Sequence, residues 1–155
     1  MHQGEICMKP STIVVSVPIT DLERTLRFYR DGLGLETPGI DEGMILIELP
    51  NLSLFLMGSE EYARFAGYGG VTDAGRPKPG SFIFSCAIGT KDEVDQTIER
   101  AMQAGGSAPG AAQDREGSYI GYVSDPDGHL WELVWNARTE AAAESSAGAG
   151  SGPDR

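Results

Sequence analysis

Glu132 stands in the run HLWELVWN, residues 129–136, between Leu130, Trp131, Leu133 and Val134. A carboxylate in such an apolar run is costly to bury unless it is paired, hydrogen-bonded or metal-bound. Its chemistry is therefore that of a general base, an acceptor for a ligand hydrogen bond, a partner for a cationic ligand, or a metal ligand. A hydrogen bond or salt bridge to a neighbour is the plain alternative. The chain has two histidines, His2 near the N-terminus and His129 beside Asp125-Pro126-Asp127-Gly128, and two cysteines, Cys7 and Cys86, without CxxC spacing. No disulfide framework follows from that pattern. Other polar side chains in strand-like runs are Ser16, Glu48, Ser85 and Tyr119, the last able to donate to a carbonyl oxygen.

The elements that must position these residues occur twice. Residues 12–19 are rich in β-branched side chains and predict a strand. Thr20 and Glu23 have the T-x-x-E spacing of a capping box. Leu22, Leu26, Tyr29 and Leu33 then repeat on one helical face as far as Gly34. Residues 82–88 predict a second strand, Thr90 and Glu93 a second capping box, and Val94, Ile98, Ala101 and Met102 a second apolar face, ended by Gly105-Gly106. Each half continues with strands. GMILIELP and NLSLFLMG meet at Pro50-Asn51 in the first; an edge strand near Ser107 and strands over 119–124 and 129–135, around DPDG, complete the second. A short helix over 60–66 and the Gly- and Pro-rich stretch GYGGVTDAGRPKPG join the halves.

The runs VPITDLERTLRFYRDGLGL and DPDGHLWELVW resemble the vicinal oxygen chelate superfamily of glyoxalases, bleomycin-resistance proteins and extradiol dioxygenases, over roughly residues 11–136. The resemblance implies an α+β fold of two βαβββ modules, about 11–58 and 81–136, whose curved mixed sheets form a cup with the helices on its outer face. Strand alternation then assigns the sides. Ile13, Val15, Val17 and Ile19 face the helices, as do Phe82, Phe84, Cys86 and Ile88. Val14, Ser16, Glu48, Phe55, Met57, Ile83, Ser85 and Glu132 face the cup. Pairing Ser124 with His129 across DPDG sets Gly121 opposite Glu132 and Tyr119 on the same side, leaving room beside the carboxylate. The metal-ligand positions implied by the resemblance map onto Val14, Phe55, Ile83 and Glu132. Three of these are apolar, so neither the usual metal nor another resident cofactor is expected, although an atypical divalent site stays open.

Two functions follow. One is a binder of a small, largely apolar molecule, as in antibiotic-sequestering relatives. The other is a lyase, isomerase or dioxygenase of the superfamily using Glu132 as base or within an atypical metal site. The resemblance also implies a homodimer. A formal net charge of −11 on 155 residues argues against nucleic acid and anionic membranes as partners. Residues 1–10 lack the apolar core of a signal peptide, and no run approaches about 18 apolar residues, so a cytoplasmic location is the expectation. Residues 1–10 are expected to be flexible. Residues 137–155, ARTEAAAESSAGAGSGPDR, hold no large apolar side chain and are expected to be disordered. Truncation after Asn136 is expected to leave the thermal midpoint nearly unchanged in a melting experiment; a fall of several degrees would show that the tail docks.

Overall fold

The computed structural model describes residues 7–148. Each module is a strand, a helix and three further strands, with the first strand parallel to the last. The first contains β1 (Val14–Ile19), α1 (Leu22–Leu26), β2 (Ile40–Asp41), β3 (Met44–Leu49) and β4 (Leu52–Gly58), in sheet order β1-β4-β3-β2. Helix α2 (Ser59–Tyr68) leads out of it. The second contains β5 (Ile83–Ala87), α3 (Lys91–Gln103), β6 (Gln113–Arg115), β7 (Ser118–Ser124) and β8 (Leu130–Trp135), in order β5-β8-β7-β6. A parallel pair needs a crossover, and the helices supply it. The two sheets remain separate and neither closes on itself. Among the described residues no helix is long and apolar enough to cross a membrane.

The helix-facing sides of both sheets meet in one core. Val17, Ile19, Leu54 and Leu56 from the first sheet and Val123, Trp131 and Leu133 from the second are buried in it, with Val94, Ile98 and Ala101 of α3. The expected helical face of α1 is widened. Beyond Leu26 the chain continues as a π-helical turn, Arg27–Gly32, in which Leu33 N–H reaches back to the Phe28 carbonyl at 2.9 Å. The extra residue brings Phe28 as well as Tyr29 into the core, both fully buried.

Several expectations are corrected. Asp21, not Thr20, caps α1, its Oδ1 accepting from Arg24 N–H at 3.0 Å; Thr90 caps α3 as expected. Met102, expected on the apolar face of α3, is 53% exposed. Ile13 and Phe82 lie just outside β1 and β5 and are also exposed, because neither strand begins as early as its composition suggests. Near Ser107 there is one bridge, to Ser124, while the edge strand is β6, whose residues Gln113, Asp114 and Arg115 carry no apolar signal. Residues 137–148, expected to be disordered, form helix α4 (Ala137–Gly148). Its start is fixed by Asn136, whose Oδ1 accepts from Arg138 and Thr139 N–H, both at 3.0 Å. The run ARTEAAAESSAG is rich in alanine, the best helix former, and the cap sets where that helix begins. The remaining tail, and residues 1–6 of the expected flexible N-terminus, lie outside the described residues.

The turn between β7 and β8 ties the modules together. Asp125 Oδ1 accepts from the N–H groups of Asp127 and His129, both at 2.9 Å, and its Oδ2 accepts from the Tyr29 hydroxyl at 2.8 Å. Trp131 Nε1 donates to the same hydroxyl at 3.2 Å. Asp127 accepts from Thr20 through both the hydroxyl, at 2.6 Å, and the N–H, at 3.1 Å, so Thr20 is engaged across the junction and the cap falls to Asp21. His129 Nε2 donates to the Pro18 carbonyl at 2.7 Å, and Arg24 to the Pro126 carbonyl at 3.2 Å. Burial holds the Tyr29 phenol well above its ordinary value, with the nearby Asp125 charge adding to it, so Tyr29 remains a neutral donor. Tyr29→Phe keeps the ring against Phe28 and Trp131 but strands a carboxylate oxygen and an indole N–H. A loss of about 1–3 kcal/mol in chemical denaturation is the expected result, and a variant as stable as the parent would show that water replaces the hydroxyl.

Candidate functional site

In the second sheet, Ser85, Glu132 and Tyr122 lie directly opposite one another on β5, β8 and β7. Directly opposed residues project from the same face. The odd-numbered residues Trp131 and Leu133 are buried against the helices, so this row projects from the other, inner face. The contacts follow from that register. Glu132 Oε1 accepts from Ser85 Oγ at 2.9 Å, and Oε2 accepts from the Tyr122 hydroxyl at 2.6 Å. On one side of this polar row lies Ile83–Leu130–Ser124, on the other Ala87–Val134–Ile120. A carboxylate aimed by two hydroxyls thus stands on a largely apolar floor.

The Tyr122 phenol is raised from its ordinary value, first by its hydrogen bond to Glu132, then by burial and by the charge of Glu132, while Arg115 opposes the shift. Tyr122 therefore holds its proton and donates it to the carboxylate. Each carboxylate oxygen keeps a second lone pair, so Glu132 can accept one further hydrogen bond at each oxygen, hold a cation, or take up a proton.

Two expected members of this site lie on the opposite face. Gly121 pairs with Leu133, not Glu132, and a Cβ there would approach Ile98 Cδ1 to 2.5 Å and Val94 Cγ1 to 3.2 Å. Its lack of a side chain makes room for α3, not for a ligand. Tyr119 pairs with Trp135, and its hydroxyl donates to Asp95 of α3 at 2.6 Å. The cause is the turn. Treating DPDG as four loop residues pairs Ser124 with His129, but Asp125 N–H bonds the His129 carbonyl at 3.0 Å and Ser124 pairs with Leu130. The loop proper is Pro126-Asp127-Gly128, ending on Gly128 at φ 88°. Three-residue hairpin loops end on such a left-handed residue, and one residue fewer in the loop turns every side chain of β7 to the other face. That rule was the available signal for Tyr122, the site residue missed from the sequence.

The other expected site residues fall on the first sheet. Its inner face has the rows Val14–Ser53–Glu48, Ser16–Phe55–Leu46 and Pro18–Met57–Met44. Met57 is only 5% exposed, at the end of the sheet where α2 begins, whereas Val14 is 45% exposed. Glu48 and Leu46 line a groove of about 400 Å³ with Glu36, Thr37 and Pro38. Among the described residues no hydrogen bond or ion pair joins this set to the Ser85–Glu132–Tyr122 row. The registers of the two sheets superimpose Val14 on Ile83 and Phe55 on Glu132.

This repeat has known counterparts. The model of the Glyoxalase/Bleomycin resistance protein/Dioxygenase superfamily matches residues 12–133. The chain belongs to this superfamily. A glyoxalase-related enzyme from Fulvimarina pelagi is similar at 28% identity and a TM-score of 0.71, over 83% of this chain and 89% of that one. A lactoylglutathione lyase from Agrobacterium tumefaciens is similar at 26% identity and a TM-score of 0.59, over 82% and 95%. A superfamily protein from Nocardioides, at 19% identity and a TM-score of 0.65 over 96% and 91%, shares the fold. No curated protein matches the sequence. Of the four positions where the superfamily resemblance implies metal ligands, Val14, Phe55 and Ile83 offer no donor atom, and Glu132 is engaged by two hydroxyls. Among the described residues no three His, Cys, Asp or Glu side chains form a group that could hold a metal ion. These side chains do not make the donor set that the resemblance implies.

Removing the Glu132 charge should release Tyr122. In Glu132→Gln its phenol is expected to titrate at lower pH than in the parent, toward the ordinary tyrosine value, as followed by tyrosine ring NMR. An unchanged titration would show that the two side chains are not bonded in solution.

Proposed function

We propose that this superfamily member binds a small, largely apolar organic molecule on the inner face, with Glu132 as its polar anchor and without the usual metal centre. The observation that carries this reading is the row Ser85–Glu132–Tyr122 between two mainly apolar rows. Apolar walls with a few fixed polar groups are the ordinary make-up of a small-molecule site. Exposed inner residues support it: Ile83 is 53% and Val14 45% exposed, apolar surface available to a ligand or to a second copy of the chain. A homodimer whose copies share the inner faces belongs to the same reading, as do Ser16, Glu48 and Phe55 as further wall residues.

A second reading, a lyase, isomerase or dioxygenase of the superfamily, is favoured by one contact. The Tyr122 hydroxyl 2.6 Å from Glu132 Oε2 sets a proton donor beside a candidate base. In that case Glu132→Gln would abolish turnover more than it weakens binding.

The deciding experiment combines denaturation with ligand titration of Glu132→Gln. A panel of apolar compounds is first ranked by thermal shift on the parent, where a ligand at a hundred times its Kd stabilises by about 2.7 kcal/mol. Compounds that stabilise the parent are expected to bind the variant at least about tenfold more weakly, a difference of about 1.4 kcal/mol, while its unfolding free energy stays within about 1 kcal/mol of the parent. Lost stability with unchanged affinity of the folded fraction would make Glu132 a structural residue and refute the proposal.

A further inference from the structure

Strand β7 presents Tyr122 to the inner face and Tyr119 to the opposite one. Beside Tyr119, between α3 and residues 108–112, lies a groove of about 550 Å³. Its apolar walls are Ile98, Met102, Ala112 and the Tyr119 ring. Asp95 and Glu99 stand on the same helix one turn apart and line one side. The size falls within the range of small-molecule pockets. Met102 leaves 53% of its surface to solvent here, an unbranched and adaptable side chain poised over the cavity.

The charges are one-sided. Asp95 is held by the Tyr119 hydroxyl at 2.6 Å, and among the described residues neither Asp95 nor Glu99 has an ion-pair partner. Like charges at i and i+4 are unfavourable on a helix. Lys91, which does not line the groove, is paired with Asp114 at 3.8 Å and leaves both carboxylates without an ion pair among the described residues. Its ammonium lies 5.4 Å from the centre of the Tyr119 ring, so the aromatic wall already takes a cation over its face. The Tyr119 phenol is raised, first by its hydrogen bond to Asp95, then by burial and by the charges of Asp95, Asp114 and Asp92. Two exposed carboxylates on one side of the groove favour a cation over an anion there.

We propose that this groove is a second small-molecule site, separate from the inner face, which takes an apolar organic amine in its ammonium form. The hydrocarbon part lies against Ile98, Met102 and Ala112, and the ammonium between Asp95 and Glu99.

The test uses the full chain carrying methyl-labelled methionine, with Met102→Leu to assign the Met102 signal. The probes are naphthylethylamine and naphthylethanol, its uncharged counterpart. The amine is expected to shift the Met102 methyl resonance saturably and to bind at least tenfold more tightly than the alcohol. Glu99→Gln, on an exposed helix position, and Asp95→Asn should each weaken the amine several-fold without altering the alcohol. Glu132→Gln should leave the Met102 shift unchanged. An amine that leaves Met102 unmoved, equal affinity for amine and alcohol, or full affinity in Glu99→Gln would overturn the proposal. Loss of binding in Glu132→Gln alone would move the amine to the inner face and overturn it as well. Concentration-dependent dimerisation that alone accounts for the Met102 shift would make the groove a contact between copies.

Discussion

One carboxylate, that of Asp125, holds the two halves of this fold in register. It is 3% exposed and accepts three hydrogen bonds, from the N–H groups of Asp127 and His129 in its own turn and from the hydroxyl of Tyr29 in the other module. Burial raises its carboxyl above the usual range, while the electrostatic influence of His129 and these hydrogen bonds pull it down. The cost of a buried charge is offset only when the partners are all present. The turn that they fix carries Asp127 onto Thr20 and His129 onto Pro18, so the junction between modules is polar at its rim and aromatic inside, where Tyr29 meets Trp131 edge-on at 5.8 Å.

The same turn sets the chemistry of both faces of the second sheet. Because its loop has three residues and ends on Gly128 in the left-handed region, β7 pairs with β8 in the one register that puts Tyr122 beside Glu132 and Tyr119 beside Asp95. A one-residue slip would exchange the two tyrosines and leave Glu132 facing a glycine. The turn therefore couples the assembly of the modules to the make-up of the inner face. A change at Asp125 would be felt in both.

The repeat also explains why the two halves of the inner face differ. The registers superimpose Val14 on Ile83 and Phe55 on Glu132, so the scaffold offers equivalent positions on both sheets, and of these four only Glu132 is a carboxylate, while the first sheet carries Glu48 in a different row. Membership of the Glyoxalase/Bleomycin resistance protein/Dioxygenase superfamily accounts for the scaffold. The side chains at these positions decide what chemistry it can support.

Local pattern carried the longer strands and the helices up to α3, the repeat, the cap at Thr90 and the alternation that sets the phase of Glu132, but not β2, β6 or α4. These depend on local rules: β-branched runs, 3.6-residue spacing, and the alternation of Leu130, Glu132 and Val134 with Trp131 and Leu133. The π-helical turn that buries Phe28 was not legible, because packing against α3 and the second sheet selects it over the regular helix. The cap at Asp21 was not legible either, since Thr20 is drawn away by a residue 107 positions distant. A loop taken as one residue too long puts Tyr119 and Gly121 on the wrong face and hides Tyr122, and the left-handed Gly128 is the signal against it. Helix α4 combines an alanine-rich run with the polar cap of Asn136, and an argument from apolar content overlooks both. The sequence determined which residues alternate along each strand. Tertiary structure decided which strand residue stands opposite which, because register is set by contacts between segments far apart in the chain.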